Sequence, residues 1–181
     1  MAATRGQARD AILATASALF HASGTRAISA DRILADAGVS KVTFYRHFPS
    51  KDALVVAYLE DELARLQSLG AQAGSDPQAI AGIFEEEMCR PGFRGCPFIN
   101  AAAEYPDPTH PVREVVARFR TWMMGAIEAW ATERGARDPA QVARQVMMLR
   151  DGALVEGYVA GDPARVAREL RAGIAALASA G

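Results

Sequence analysis

The sequence predicts an all-α protein: a three-helix N-terminal head containing a helix-turn-helix, then a C-terminal helical bundle, about nine helices in all. Three observations lead there. Apolar residues recur at helical spacing along the 181-residue chain. No stretch sustains the alternation of β-branched residues that a strand requires. Ser29, Ser40 and Ser50, and the Asp-Pro pairs at Asp138 and Asp162, stand where new helices would begin.

Ile12, Ala16, Leu19 and Phe20 give the first helix, about Ala8 to Ala22, one buried face, and Gly24 ends it. Ser29 caps the second helix, with Asp31 in its first turn and Ile33, Leu34 and Ala37 as its apolar face. Gly38 supplies a turn conformation costly to other residues, and Val39 is expected to plug into the core. Ser40 caps a third helix ending at Phe48 before Pro49. Ser50 caps a fourth, Lys51 to Leu69, and Gly70 to Asp76 reads as a loop. Further helices are expected over about Pro77–Arg90, Pro97–Glu104, Val112–Arg134, Pro139–Ala160 and Pro163–Ala178. Pro91, Gly92 and Gly95 break the chain before Cys96, and a Pro-rich loop spans Tyr105 to Pro111.

Charge is divided unevenly. The whole chain carries −1, but residues 1–51 hold seven Lys/Arg against three acids, +4, leaving −5 on residues 52–181. Both lysines, Lys41 and Lys51, lie in the basic segment. A basic head on an acidic body suggests that the head alone meets phosphate. This gives a division into residues 1–51, which would meet phosphate, and residues 52–181, the acidic body.

The segment Ser29 to Lys51 carries the motif. Two short helices joined by Ala37-Gly38-Val39-Ser40 form a helix-turn-helix, whose second helix enters the major groove in DNA-binding proteins. Phe44 and Phe48 face inward, leaving Lys41, Val42, Thr43, Tyr45, Arg46 and His47 outside, a cationic, hydroxylic and aromatic set suited to phosphates and base edges. The composition alone leaves open an ordinary solvated helix face. The run Gly38-Val39-Ser40-Lys41-x-Thr43-Phe44-Tyr45-x-His47-Phe48-x-Ser50-Lys51 resembles the signature of the TetR/AcrR family of transcriptional repressors. The resemblance covers about residues 8–55. It implies base contacts from Lys41, Val42 and Thr43, and phosphate contacts from Ser29, Tyr45, His47 and Lys51. Arg46 falls where the pattern fixes no residue.

The resemblance also implies a helical body that dimerises and holds an inducer. The last two helices are rich in small residues (Ala143, Gly152, Ala153, Gly157, Ala160, Gly173, Ala175, Ala176), which suits close helix approach between protomers. Leu149, Leu154, Val155, Tyr158, Val166, Leu170, Ile174 and Leu177 supply apolar area, and a monomeric core is the alternative reading. Candidate pocket residues are Phe84, Met88, Phe93, Phe98, Ile99, Tyr105, Phe119, Trp122, Met123, Met147 and Met148, with Asn100, Glu104, Arg120 and Asp151 as polar candidates. These point to a mostly apolar small-molecule inducer, with double-stranded operator DNA and a second copy of the chain as the other partners. Plain core is the alternative for each.

Arg94 to Glu104 resembles a segment of some family members and would place Cys96 at a helix N-terminus, where a thiol is more acidic. A redox or electrophile sensor through Cys96 is therefore a second reading, with a buried inert cysteine as its alternative. Cys89 and Cys96 have no zinc partner set. No phosphate loop, nucleophile elbow or metalloprotease motif is present, and His21, His47 and His110 are scattered, so no catalytic activity, metal or cofactor is expected. His21 is expected to cap a helix end. A ligand-free architectural DNA protein remains a rival, opposed by the large aromatic-rich body. No apolar run approaches the length of a membrane span, and residues 1–10 lack the order of a signal peptide, making cytoplasmic residence the default.

Overall fold

The computed structural model describes residues 5–74, 77–90 and 92–179. Among these are nine helices and no strand. The helices are α1 (Arg5–Ser23), α2 (Ala30–Ala37), α3 (Lys41–His47), α4 (Lys51–Ala73), α5 (Pro77–Cys89), α6 (Pro97–Glu104), α7 (Pro111–Glu133), α8 (Pro139–Val159) and α9 (Pro163–Ser179). The chain forms two cohesive units. One holds residues up to Ala64 together with Pro97–Val116; the other holds Arg65–Cys96 and the chain from Ala117 onward. Helices α4 and α7 each run unbroken from one unit into the other.

The first unit is built on the apolar spacing of α1. Ile12, Ala16 and Phe20 are buried with Ile33, Phe44, Phe48, Leu54, Val55, Tyr58 and Leu59. Phe20 meets Tyr58 edge-on at 5.5 Å, and Phe44 and Phe48 lie 6.2 Å apart. Ser29 accepts a hydrogen bond from the Arg32 amide and Ser40 one from the Thr43 amide, each at 3.2 Å. Gly38, at φ +64, donates its amide to the Ala35 carbonyl and turns the chain between α2 and α3. Val39 is half-buried rather than a core plug: it lies in the turn, where its amide closes α2 on the Leu34 carbonyl, and Phe44 and Phe48 fill the core instead.

The same unit contains α6 and the loop after it. Glu104, the last residue of α6, accepts from the Thr25 hydroxyl and, at 2.8 Å, from the Arg26 amide, holding the α1–α2 turn. Tyr105 donates its hydroxyl to Asp52 at the start of α4, at 3.2 Å. Burial raises the Tyr105 pKa and keeps the phenol a donor. His21 does not cap α1: its Nε2 lies 3.0 Å from Glu62, a buried carboxylate that draws the ring across to α4.

In the second unit Met88, Phe119, Met123, Ala143, Val146, Met147, Leu154, Val166 and Leu170 are buried. Asp138 and Asp162 cap α8 and α9, accepting from the amides of Gln141 and Arg165. Ala131, Val142 and Val146 form a cluster against which Ile127, Trp130, Ile174 and Leu177 pack. A Cβ at Gly173 would fall 2.6 Å from Leu149, so this glycine serves close approach of α8 and α9 within one chain.

One boundary differs from the sequence expectation. Helix α4 continues through Gly70 to Ala73 instead of ending at Leu69. A Cβ at Gly70 would lie 3.5 Å from the Trp122 ring. The indole covers the glycine, and tertiary contact offsets its poor helix propensity. Gly74, at φ +55, then ends the helix, its amide bonding the Gly70 carbonyl at 3.0 Å. Asp76, the end of the expected loop, lies outside the described residues, as does Pro91.

A Cβ at Gly38 would meet nothing within 4 Å, so its φ of +64 is the sole obstacle to a side chain there. Gly38→Ala should therefore lower the unfolding free energy by about 1–2 kcal/mol, and Gly38→Asn by less. Urea titration followed by circular dichroism checks this; an unchanged midpoint for the alanine variant refutes it.

Candidate functional site

Helix α3 is too short to hold itself. Its face is fixed by Phe44, fully buried, by Phe48 at its C-cap, and by the Ser40 cap. What this leaves outside is the set read from the sequence. Lys41, Val42, Tyr45 and Arg46 are exposed; Thr43 and His47 are half-buried. Val42 is 70% exposed, an apolar side chain in the first turn able to meet a thymine methyl. Tyr45 leans edge-on against Phe44 at 5.2 Å, which orients its ring. The Arg9 guanidinium sits 5.4 Å over the Phe48 ring and brings another cation to this end of α1.

Two assigned hydroxyls also have structural duties. Thr43 Oγ1 lies 2.9 Å from Ser40 Oγ, and Ser29 caps α2. Ser29 is exposed, and its hydroxyl proton remains free to be donated while its oxygen accepts. Lys51 opens α4, half-buried. Burial lowers its pKa; the carboxylates of Asp52 and Glu104 act in the opposite sense, and Arg26 adds to the lowering. Asp31 is exposed in the first turn of α2, away from the α3 face.

The candidate pocket residues fall in both units. Phe98, Ile99, Asn100, Glu104 and Tyr105 belong to the first. Glu104 and Tyr105 are committed there to Thr25, Arg26 and Asp52. Phe84, Met88, Phe93, Phe119, Arg120, Trp122, Met123, Met147, Met148 and Asp151 belong to the second. Met88, Phe119, Met123 and Met147 are buried, and Phe84 and Trp122 half-buried. Met148 is 67% exposed and lines no core, unlike its neighbour Met147 at 1%. Gly157, on α8, has Met88 and Phe93 against its open side.

At the centre of the second unit stands a residue the sequence reading passed over. Arg150 is 4% exposed. Its Nη1 donates to Asp151 at 2.7 Å and its Nη2 to Cys96 Sγ at 3.5 Å. The guanidinium lies 5.2 Å from the Phe119 ring and 5.8 Å from that of Phe84. Asp151 also accepts from Arg120 at 2.8 Å. Burial works against the Arg150 charge, but Cys96 and Asp151 outweigh it and hold the group above its ordinary pKa. A signal for it was present: Val146, Met147, Arg150, Ala153, Leu154 and Gly157 follow the inward spacing of α8, and all are buried. Cys96 is 3% exposed and free, and Cys89 is exposed and free. Among the described residues no cluster of His, Cys, Asp and Glu could hold a metal, and no helix is long and apolar enough to cross a membrane.

Residues 12–58 match the family model for bacterial regulatory proteins of the tetR family, and residues 78–173 match that for the tetracyclin repressor-like C-terminal domain. A solved TetR-family transcriptional regulator of Streptomyces coelicolor is 36% identical, with a TM-score of 0.90 over 95% of this chain and 94% of that one. The HTH-type transcriptional regulator EthR of Mycolicibacterium smegmatis is 38% identical over 138 residues, 74% of this chain and 60% of the relative. The HTH-type transcriptional regulator YjdC of Escherichia coli is 26% identical over 117 residues, 60% of this chain and 61% of the relative. The chain thus spans about three fifths of the length of these curated relatives.

Proposed function

Because this chain belongs to the tetR family of bacterial regulatory proteins, we propose that it is a ligand-responsive, non-enzymatic transcriptional regulator of the repressor kind, binding a near-palindromic operator as a homodimer. The observation that carries the reading is the outer face of α3, where Lys41, Val42, Tyr45 and Arg46 stand exposed on a helix pinned by Phe44 and Phe48. Lys41, Val42 and Thr43 meet bases; Ser29, Tyr45, His47 and Lys51 meet phosphates, the last at a helix N-terminus that favours anions. Arg46 is a further cation on that face. In a filter-binding or anisotropy assay, operator affinity should fall with salt with a log–log slope of several units. Lys41→Ala should cost about 1–3 kcal/mol at one base pair, whereas Tyr45→Phe weakens binding to all sequences alike. A salt-independent affinity would sink the assignment.

Dimerisation is supported by burial on α8. Of the apolar residues expected at an interface, Leu154, Val166 and Leu170 are buried within the chain itself. Val155 and Tyr158 are not: each is 49% exposed, and beside them Met148, a pocket candidate by sequence, and Val159 are 67% and 72% exposed, with open space before Gly152. Such a stripe fits the seam of a four-helix dimer interface. Ala153 and Ile174 pack inside the unit, so a charge there tests folding, while one on the stripe tests assembly. Met148→Glu with Val155→Glu should yield a folded monomer with little operator affinity. Sedimentation of an unaltered dimer from the double variant would remove α8 from the interface.

The inducer binds in the body and releases the operator. The two heads of a dimer must lie about 34–36 Å apart to reach successive major grooves. Helix α4 carries both Lys51 and Gly70, and Trp122 rests against Gly70. A ligand displacing Trp122 would act directly on the helix that bears the head. It needs higher affinity for the released state; a coupling of about 1.4 kcal/mol costs tenfold in operator affinity. Trp122→Ala should abolish induction and leave ligand-free operator binding within about twofold. Equal induction of wild type and variant would reject this route.

A second reading, release on oxidation of Cys96, draws on the 3.5 Å contact between Arg150 Nη2 and Cys96 Sγ. Its 3% exposure opposes this. Peroxide should leave operator affinity unchanged in wild type and in Cys96→Ser alike; loss in the wild type alone would establish the redox reading in place of the ligand one.

A further inference from the structure

We propose that Arg150 is the anion-recognising group of the second unit, and that the effector is an aromatic or aliphatic carboxylate. The inference rests on the effector-binding reading above and gives that effector a chemical class.

A buried guanidinium has five N–H donors and a fixed charge, and each unmet donor is costly in a dry interior. Arg150 meets this demand incompletely. Nη1 is well paired with Asp151 at 2.7 Å. Nη2 has only the sulfur of Cys96, a weak acceptor, at 3.5 Å. Nε is buried with no partner at all. The counter-charge falls short in the same way. Asp151 is shared: its second oxygen holds Arg120 at 2.8 Å, so two guanidiniums draw on one carboxylate.

The aromatic neighbours do not supply the missing partner. Phe84 and Phe119 flank the guanidinium and offer faces but no acceptor. A carboxylate bonded to Nε–H and a neighbouring Nη–H would form the side-by-side pairing that guanidinium geometry favours. It would replace the long sulfur contact and bring the missing negative charge. The rest of such a molecule is apolar, to match the Phe84 and Phe119 rings beside the guanidinium. A neutral apolar compound would fill space and leave Nε unmet, which sets the discrimination between acid and amide.

The test is calorimetric titration of the whole chain with 4-phenylbutyrate and octanoate, and in parallel with their primary amides. Each carboxylate should bind saturably and at least tenfold more tightly than its amide. Arg150→Met should weaken carboxylate binding tenfold or more and leave the amide unaffected, with Arg150→Lys intermediate. Asp151→Asn, which removes the competing carboxylate, should tighten binding severalfold and provides a reading even if Arg150→Met does not fold. Cys96→Ser should bind as the wild type does. Equal affinity for acid and amide, no saturable carboxylate binding, an Asp151→Asn variant no tighter than the wild type, or loss of binding in Cys96→Ser would each overturn the proposal. Operator release is measured on the same samples. Carboxylates that bind as expected but leave the operator bound support the anion site and defeat the effector reading. Amides that match the acids in binding and in release defeat the anion site and spare the effector.

Discussion

The seven residues of α3 cannot form a stable helix alone, since isolated helices need about 12–15 residues to persist in water. Everything proposed for the head depends on how this constraint is met. Two aromatic side chains four positions apart, Phe44 and Phe48, turn one side of the helix into core. Ser40 satisfies an N-terminal amide, and Gly38 lets the chain enter at the required angle. The opposite side is then presented as a rigid surface whose composition is free of packing demands. An exposed Val42 is tolerable in that arrangement because stability is drawn from elsewhere.

That scaffold reaches beyond the helix-turn-helix. Glu104 accepts two hydrogen bonds from the turn between α1 and α2, and Asp52 accepts from Tyr105, while His110 Nε2 lies 3.4 Å from it. The segment Pro97–Val116 is thereby part of the same cohesive unit as the head. Its first residue follows Cys96, which touches Arg150 in the other unit. Helices α4 and α7 each contribute residues to both units. The segment is held to the head by directional hydrogen bonds to the carboxylates of Glu104 and Asp52.

The helical architecture was legible because each helix carries its own local signals. Periodicity set the faces, and Ser29, Ser40, Ser50, Asp138 and Asp162 marked the starts through a mechanism local to one turn. The face of α3 was legible for the same reason: seven residues around two inward aromatics leave little choice. What escaped depended on contacts distant in sequence. In sequence Gly70 reads as a break, because the indole of Trp122 that covers it lies 52 positions away. His21 looked like a cap until Glu62 supplied its partner. Glu104 and Tyr105 looked like pocket groups because sequence does not reveal that Thr25 and Asp52 already engage them.

Arg150 is the most instructive of these, since its position was readable and its identity concealed it. Charged residues are almost never buried unless paired, so an arginine on a helix is assigned to solvent. The inward register of α8 contradicts that assignment, and the register prevails. A buried charge gains little for stability over an apolar residue of similar size. Leucine or methionine would fill the position between Phe84 and Phe119 without a desolvation cost. The guanidinium stands there with an unmet Nε donor and a shared carboxylate, a poor way to stabilise a core and, on the anion-site proposal, a suitable way to hold a site ready. The structural cost of Arg150 and the use proposed for it are two sides of the same unmet donor.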